Sequence, residues 1–174
     1  HEIRFVLLDP DGSEVAGEPP ALKSLARETT GVPVRRVGRF VHLALVGAGR
    51  CLHGLTPSAD TATYFTSGRG DLETTLDVLA QMCVHGRPPS PFAFINTVGN
   101  SACFHVATSF GLQGRSQFVT SRYAPLEAAL RLAVLDMAHA GVKTALVGSA
   151  DICTAPLTAH RARIGVAADT PVGE

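Results

Sequence analysis

The stretch from about Pro125 to Gly148 restricts the fold more than any other part of the chain. Proline suits a first helical turn, Glu127 suits the positive end of a helix dipole, and Leu126, Leu130, Val134 and Met137 recur at helical spacing. A helix is therefore predicted from about Pro125 to Ala140. Gly141 stops it, and Thr144-Ala145-Leu146-Val147-Gly148 reads as a buried strand. Helix, tight turn and apolar strand in this order predict an α/β chain with a mostly parallel sheet, because parallel strands need a helical crossover and bury both faces.

The remaining segments agree with that layering. Ile3–Leu8 reads as a short strand closed by the turn Asp9-Pro10-Asp11-Gly12, and Gly17-Glu18-Pro19-Pro20 reads as a break. From Arg35 to Leu45, helical spacing puts Val37, Phe40, Val41 and Leu45 on one face and the three arginines elsewhere. Thr61–Ser67 is rich in β-branched and aromatic residues and predicts a buried strand that exits through Gly68-Arg69-Gly70. Asp71 opens a helix whose apolar stripe is Leu72, Leu76, Leu79 and Cys83, ended by Gly86 and Pro88-Pro89. Phe92–Ile95 lead into a further helical stretch carrying Ala102, Val106 and Phe110 before Gly111, and Gln117–Ser121 is a second short strand.

Composition removes several function classes. Fifteen basic residues stand against fifteen acidic ones in 174, which argues against a dedicated nucleic-acid or membrane-surface protein. Hydrophobic residues at 45% suffice for a real core, and the length fits one domain over 1–174 by the usual size of roughly 100–200 residues. Charged residues at 17%, below the average of about 25%, suggest either a covered subunit face or an alanine-rich core. Cys51, Cys83, Cys103 and Cys153 lie at wide, irregular spacings and read as free thiols, no segment has the apolar length of a membrane span, and residues 1–15 lack a secretory signature; the expected compartment is the cytoplasm. Starting at His1 and stopping at Glu174, the chain is expected to be a piece of a longer protein.

Few motifs carry chemistry. Gly47-Ala48-Gly49-Arg50-Cys51-Leu52 invites a dinucleotide-binding reading but has Leu52 at the third glycine position and helical periodicity before it, so a helix end is expected there. Cys103 and His105, two apart on a helix, face different ways, so neither activates the other; a buried thiol and a core or interface histidine are expected. Seven histidines are scattered singly, and neither a metal site nor a cofactor is expected. Ser121 stands at a strand-to-helix elbow, where helix N-terminal amides bind oxyanions and enzymes present nucleophiles. The residues there are Thr120-Ser121-Arg122-Tyr123-Ala124-Pro125; serine needs a general base that the sequence does not identify, so a turn or capping role is expected of Ser121.

Several segments, in order, resemble the N-terminal half of the β-ketoacyl synthases of the thiolase-like superfamily, and within it the divergent group of chain-length-factor type subunits. They are Arg35–Phe40 with Leu43-Ala44-Leu45; Tyr64–Leu72 leading to Thr75, Leu76 and Leu79; Pro89–Phe94 with Val98 and Asn100; Ala124–Leu130; Ala145–Asp151; and Thr170–Glu174. The likeness covers about residues 32–174 and matches 1–31 poorly. It implies a layered α-β-α thiolase-like half-fold with a mostly parallel central sheet. Where the catalytic synthases carry their cysteine, this chain has Tyr123 or an immediate neighbour, and chain-length-factor subunits also lack that cysteine. The resemblance implies a non-catalytic subunit that pairs, as homo- or heterodimer, with an active ketosynthase in a type II polyketide, aryl-polyene or fatty-acid-like pathway, and meets acyl carrier protein through that partner. It also implies an interface strand at Gln117, Phe118, Val119, Thr120 and Ser121. Two alternatives stay open: a thioester acyltransferase or hydrolase using Ser121 or Cys103, and a structural homodimer without an acyl ligand.

Overall fold

The structure, a computed structural model, describes residues 19–31, 34–121, 123–152, 154, 159–160 and 162–165. The expected strand Ile3–Leu8 and its turn, and the segment Thr170–Glu174, lie outside the described residues. The elements run α1 (Pro19–Thr30), α2 (Arg39–Leu52), β1 (Ala62–Ser67), α3 (Leu72–Cys83), α4 (Pro91–Asn96), α5 (Ser101–Phe110), β2 (Ser116–Thr120), α6 (Pro125–His139) and β3 (Ala145–Ser149).

The described strands form one three-stranded sheet in the order β2-β1-β3, with both pairings parallel. Every residue of β1 is buried, as expected of a central parallel strand covered on both faces. Its side chains alternate between two cores. Phe65 joins Phe40, Val41, Leu45, Val106 and Leu146 in the larger one, built from α1, α2 and α5. Ala62 and Tyr64 point the other way, toward Ala129 and Ala133 of α6. The expected α-β-α layering is what these two cores produce. α3 packs mainly on α4.

Several local expectations are corrected. Pro19-Pro20 begin a helix rather than break the chain, since proline is tolerated in a first turn whose N–H groups have no partner. The helix expected from Arg35 starts at Arg39 and runs through Gly47-Ala48-Gly49 to Leu52. The glycines are a packing surface within that helix: a Cβ on Gly49 would strike the Thr29 methyl of α1 and lie 3.1 Å from the Phe110 ring. Phe92–Ile95 belong to a short helix, with Ser90 Oγ accepting the Ala93 N–H at 3.1 Å. Asp71 does cap α3, accepting the Thr74 N–H at 3.1 Å, but of that helix only Val78 is buried, and Leu79 and Cys83 of the expected stripe face outward. β2 lies one residue before its expected span and β3 one after, and β3 buries Leu146 alone.

The helix expected from Pro125 is present as α6, but its leucine repeat does not mark its buried face. Leu126, Leu130, Val134 and Met137 are 38–64% exposed, and the buried face is Ala129, Ala133 and Asp136. Small residues let the helix approach the sheet closely, and Asp136 has a buried partner: Tyr64 Oη donates to its Oδ2 at 2.7 Å. Arg115 Nη1, from the turn before β2, donates to both carboxylate oxygens at 3.2 and 3.3 Å. One carboxylate thus fastens α6 to β1 and to the entry of β2.

Burial, reinforced by donation to Asp136, pushes the Tyr64 phenol up to about 12. Because that value lies above the unfolded value of about 10, the contribution is complete below about pH 10 and is lost as pH rises toward 12. Urea unfolding of Tyr64→Phe is expected to be weaker than wild type by about 1–3 kcal/mol at neutral pH and to lose less stability over that alkaline range. Equal alkaline losses in both proteins would contradict the assignment. The orientation of α6 predicts that Ala133→Leu costs about 1–3 kcal/mol through overpacking, whereas Val134→Ala at the neighbouring exposed position stays within about 0.5 kcal/mol; the reverse order in the same assay would refute it.

Candidate functional site

The connections leaving β1 and β2 run to opposite faces of the sheet. From β1 the chain passes through α3 and α4 to α5, on the face of α2, whereas from β2 it turns directly into α6 on the other face. Adjacent parallel strands whose exits diverge leave a crevice at their C-terminal ends, where open α/β sheets bind ligands. Its walls are the β1 exit turn, residues 67–70, and the elbow after β2.

The elbow backbone is tightly specified. Ser121 Oγ donates to the carbonyl of Tyr123. Ala124 follows at φ +47° and ψ +53°, a left-handed conformation that residues with a Cβ rarely adopt. Pro125 then opens α6 with its φ already helical. Tyr123 is 79% exposed at this bend. The crevice therefore has the strand, sharp turn and helix N-terminus of a nucleophile elbow, with tyrosine and alanine at its apex.

Ser121 and Cys103, the two candidate nucleophiles, are each hydrogen-bonded to a backbone carbonyl. Ser121, half-buried just past the strand, gives its proton to a backbone carbonyl rather than to a side-chain base. Cys103 lies on α5 beneath the start of β2, only 1% exposed, and its Sγ donates to the Gln117 carbonyl at 3.2 Å. Burial pushes its thiol pKa up, which disfavours the reactive thiolate. His105 is on the same helix and His42 on α2, and burial lowers the pKa of both, keeping them neutral at neutral pH. No group of three or more His, Cys, Asp or Glu residues that could hold a metal ion occurs among the described residues.

β2 is an edge of the described sheet, and four of the expected interface residues lie on it. Gln117 and Thr120 are exposed, while Phe118 and Val119 are half-buried. Phe118 is held from beneath by Phe40, edge to face at 6.3 Å, and from above by Gly99, where any Cβ would run into its ring. The strand is thus fixed on the side of Phe40 and Gly99, and no strand among the described residues pairs with its outer edge. Beside its first residue, Ser116, a cavity of about 590 Å³ is lined by Asn100, Phe104, Thr108 and Gln113.

Sequence reasoning missed two polar features. The Tyr64–Asp136–Arg115 set draws on three elements, and no spacing rule links residues 72 positions apart. Asp151, just beyond β3, accepts from Ser67 Oγ at 2.6 Å and from the Gly68 N–H at 2.8 Å. The Gly-Arg-Gly run after a strand was the available signal, and it was read only as a turn. Arg36, in the arginine-rich segment, is used structurally: it lies at φ +61° outside α2, its guanidinium sits 4.4 Å over the Phe92 ring, and its carbonyl accepts from Asn96 Nδ2 at 2.6 Å.

Comparison with known proteins accords with this geometry. Among solved structures, the one described as "The ishigamide ketosynthase/chain length factor" superposes with a TM-score of 0.67 at 23% sequence identity, over 84% of this chain and 43% of that one. The chain thus spans less than half the length of that protein, and the likeness establishes a shared fold, the layered thiolase-like α/β arrangement. No curated protein matches the chain. A family model, "Beta-ketoacyl synthase, N-terminal domain", matches residues 16–170, beginning before residue 32, where the motif resemblance starts. With that match over most of its length and the elbow built as described, the chain belongs to the β-ketoacyl synthase N-terminal domain family.

Proposed function

We propose that this chain is part of a non-catalytic, chain-length-factor type subunit that pairs with an active ketosynthase and shapes the tunnel in which the acyl chain grows. The observation that carries the reading is the elbow: strand, left-handed Ala124 and proline-started helix are all present, and Tyr123 and Ala124 stand where a condensing enzyme needs a thiolate. A type II polyketide, aryl-polyene or fatty-acid-like pathway is the setting, and acyl carrier protein is met through the partner. The reading puts the subunit in the cytoplasm; among the described residues no helix is long and apolar enough to cross a membrane.

Surface chemistry supports pairing. Among the described residues β2 is an edge strand, and such an edge is a template for a further strand. Among the described residues, Phe92, Phe94 and Ile95 of α4 and Phe104 of α5 are at least half exposed, large apolar side chains that a partner surface would cover. The outward leucines of α6 form a separate apolar stripe, suited to a second half-domain packing on that helix.

The test is co-expression of the full protein with an active type II ketosynthase from the same genome. A stable complex is expected, with a product-length distribution that depends on the subunit. Gln117→Lys together with Thr120→Lys, at exposed positions of the edge strand, is expected to weaken co-purification about tenfold or more while leaving the melting temperature unchanged. A stable monomer that alters neither the partner's rate nor its product length would overturn the proposal.

A further inference from the structure

The Asp151 carboxylate takes its hydrogen bonds from the turn that leaves β1. Ser67 Oγ donates to Oδ1 at 2.6 Å, the Gly68 N–H to Oδ2 at 2.8 Å and the Arg69 N–H to Oδ1 at 3.2 Å. Ser67 Oγ in turn accepts from the N–H groups of Arg69 and Gly70, at 3.1 and 2.7 Å. Successive backbone N–H groups converging on one negative centre make an anion-binding nest. Gly70, at φ +64°, supplies the reversal that closes it.

We infer that residues 67–70 form a carboxylate-binding nest whose ligand in this chain is its own Asp151, and that Asp151 is thereby the positioning residue of the elbow crevice. Gly68 also runs close to the elbow. A Cβ built on it would lie 3.4 Å from Asp151 Oδ2 and 3.8 Å from the Ser121 carbonyl, so the turn passes beside both the end of β3 and the elbow. The ends of β1 and β3 are thus tied by hydrogen bonds at the nest, and the end of β2 lies against it. Hydrogen bonds to an ionised group are among the strongest available to a turn. The nest also has a chemical consequence. While Asp151 is in place, the N–H groups of Gly68 and Arg69 face a protein carboxylate and are not offered to an external anion entering the crevice. The inference does not depend on the partnering proposed above.

Hydrogen exchange on the full chain tests it, with formate as the external carboxylate. Asp151→Ala is expected to speed exchange at Gly68 and Arg69 about tenfold or more, to speed it also at Ser121 and Tyr123, and to leave Phe40–Leu45 of α2 at wild-type protection. Sodium formate restores protection at both segments, and sodium chloride at equal ionic strength does not. Unchanged exchange at Gly68 and Arg69, a uniform rise across the chain, or failure of formate to rescue would overturn the nest. A response at the nest without one at Ser121 and Tyr123 would overturn the positioning role. If alanine prevents folding, Asp151→Asn, which keeps the shape and one carbonyl oxygen, decides: faster exchange confined to Gly68, Arg69 and the elbow supports the assignment, and wild-type exchange there contradicts it.

Discussion

β1 sits between two parallel partners and two apolar layers, with all six of its residues buried, yet four of them carry hydroxyl groups. A buried hydroxyl without a partner costs stability, so a strand of this composition is tolerated only where its neighbours supply hydrogen bonds. Three of the four hydroxyls reach three different elements. Tyr64 is answered by Asp136 on α6, Thr66 by the Val119 carbonyl of β2 at 2.7 Å, and Ser67 by Asp151 beyond β3. The same bonds that make the strand affordable therefore fix the helix behind the sheet, the edge strand beside it and the turn at its end. The crevice inherits its geometry from that arrangement.

The elbow holds a strained backbone geometry, with tyrosine and alanine at its bend. Ala124 holds a left-handed conformation that costs about 1–3 kcal/mol in a residue with a Cβ, and the Ser121 hydroxyl secures the carbonyl just before it. Such strain is retained only where surrounding contacts over-determine it. Here the Ser121 hydroxyl on one side and Pro125, which opens α6, on the other flank the strained residue. A bend fixed in this way keeps its shape, which fits the proposed role of a subunit that lines a tunnel.

Much of the layering was legible in the sequence. Seven of the nine elements among the described residues, all but α1 and α4, are legible as helix or strand near their observed positions, because long periodic segments and Gly-bounded β-branched runs are local signals. What escaped was decided at a distance. In α6 the leucine stripe gave the stronger periodic signal, but Ala129 and Ala133 fit closely against the sheet and Asp136 accepts hydrogen bonds from Arg115 and Tyr64, so the weaker stripe is the buried one. Pro19-Pro20 carried opposite meanings as a break and as a helix start, and local sequence did not choose. The elbow was legible as a bend, and its left-handed residue was not, since nothing in Ala124 as a residue type predicts that conformation. The nest was invisible because Ser67 and Asp151 lie 84 positions apart.

The central claim is that the elbow is presented without a working nucleophile. Intact-mass analysis of the purified chain after incubation with an acyl thioester addresses it most directly. The account predicts no acyl adduct under native conditions, with Ser121 bonded to a backbone carbonyl and Cys103 sealed beneath β2. A stoichiometric adduct that maps to Ser121 or Cys103 and disappears in Ser121→Ala or Cys103→Ala would contradict it.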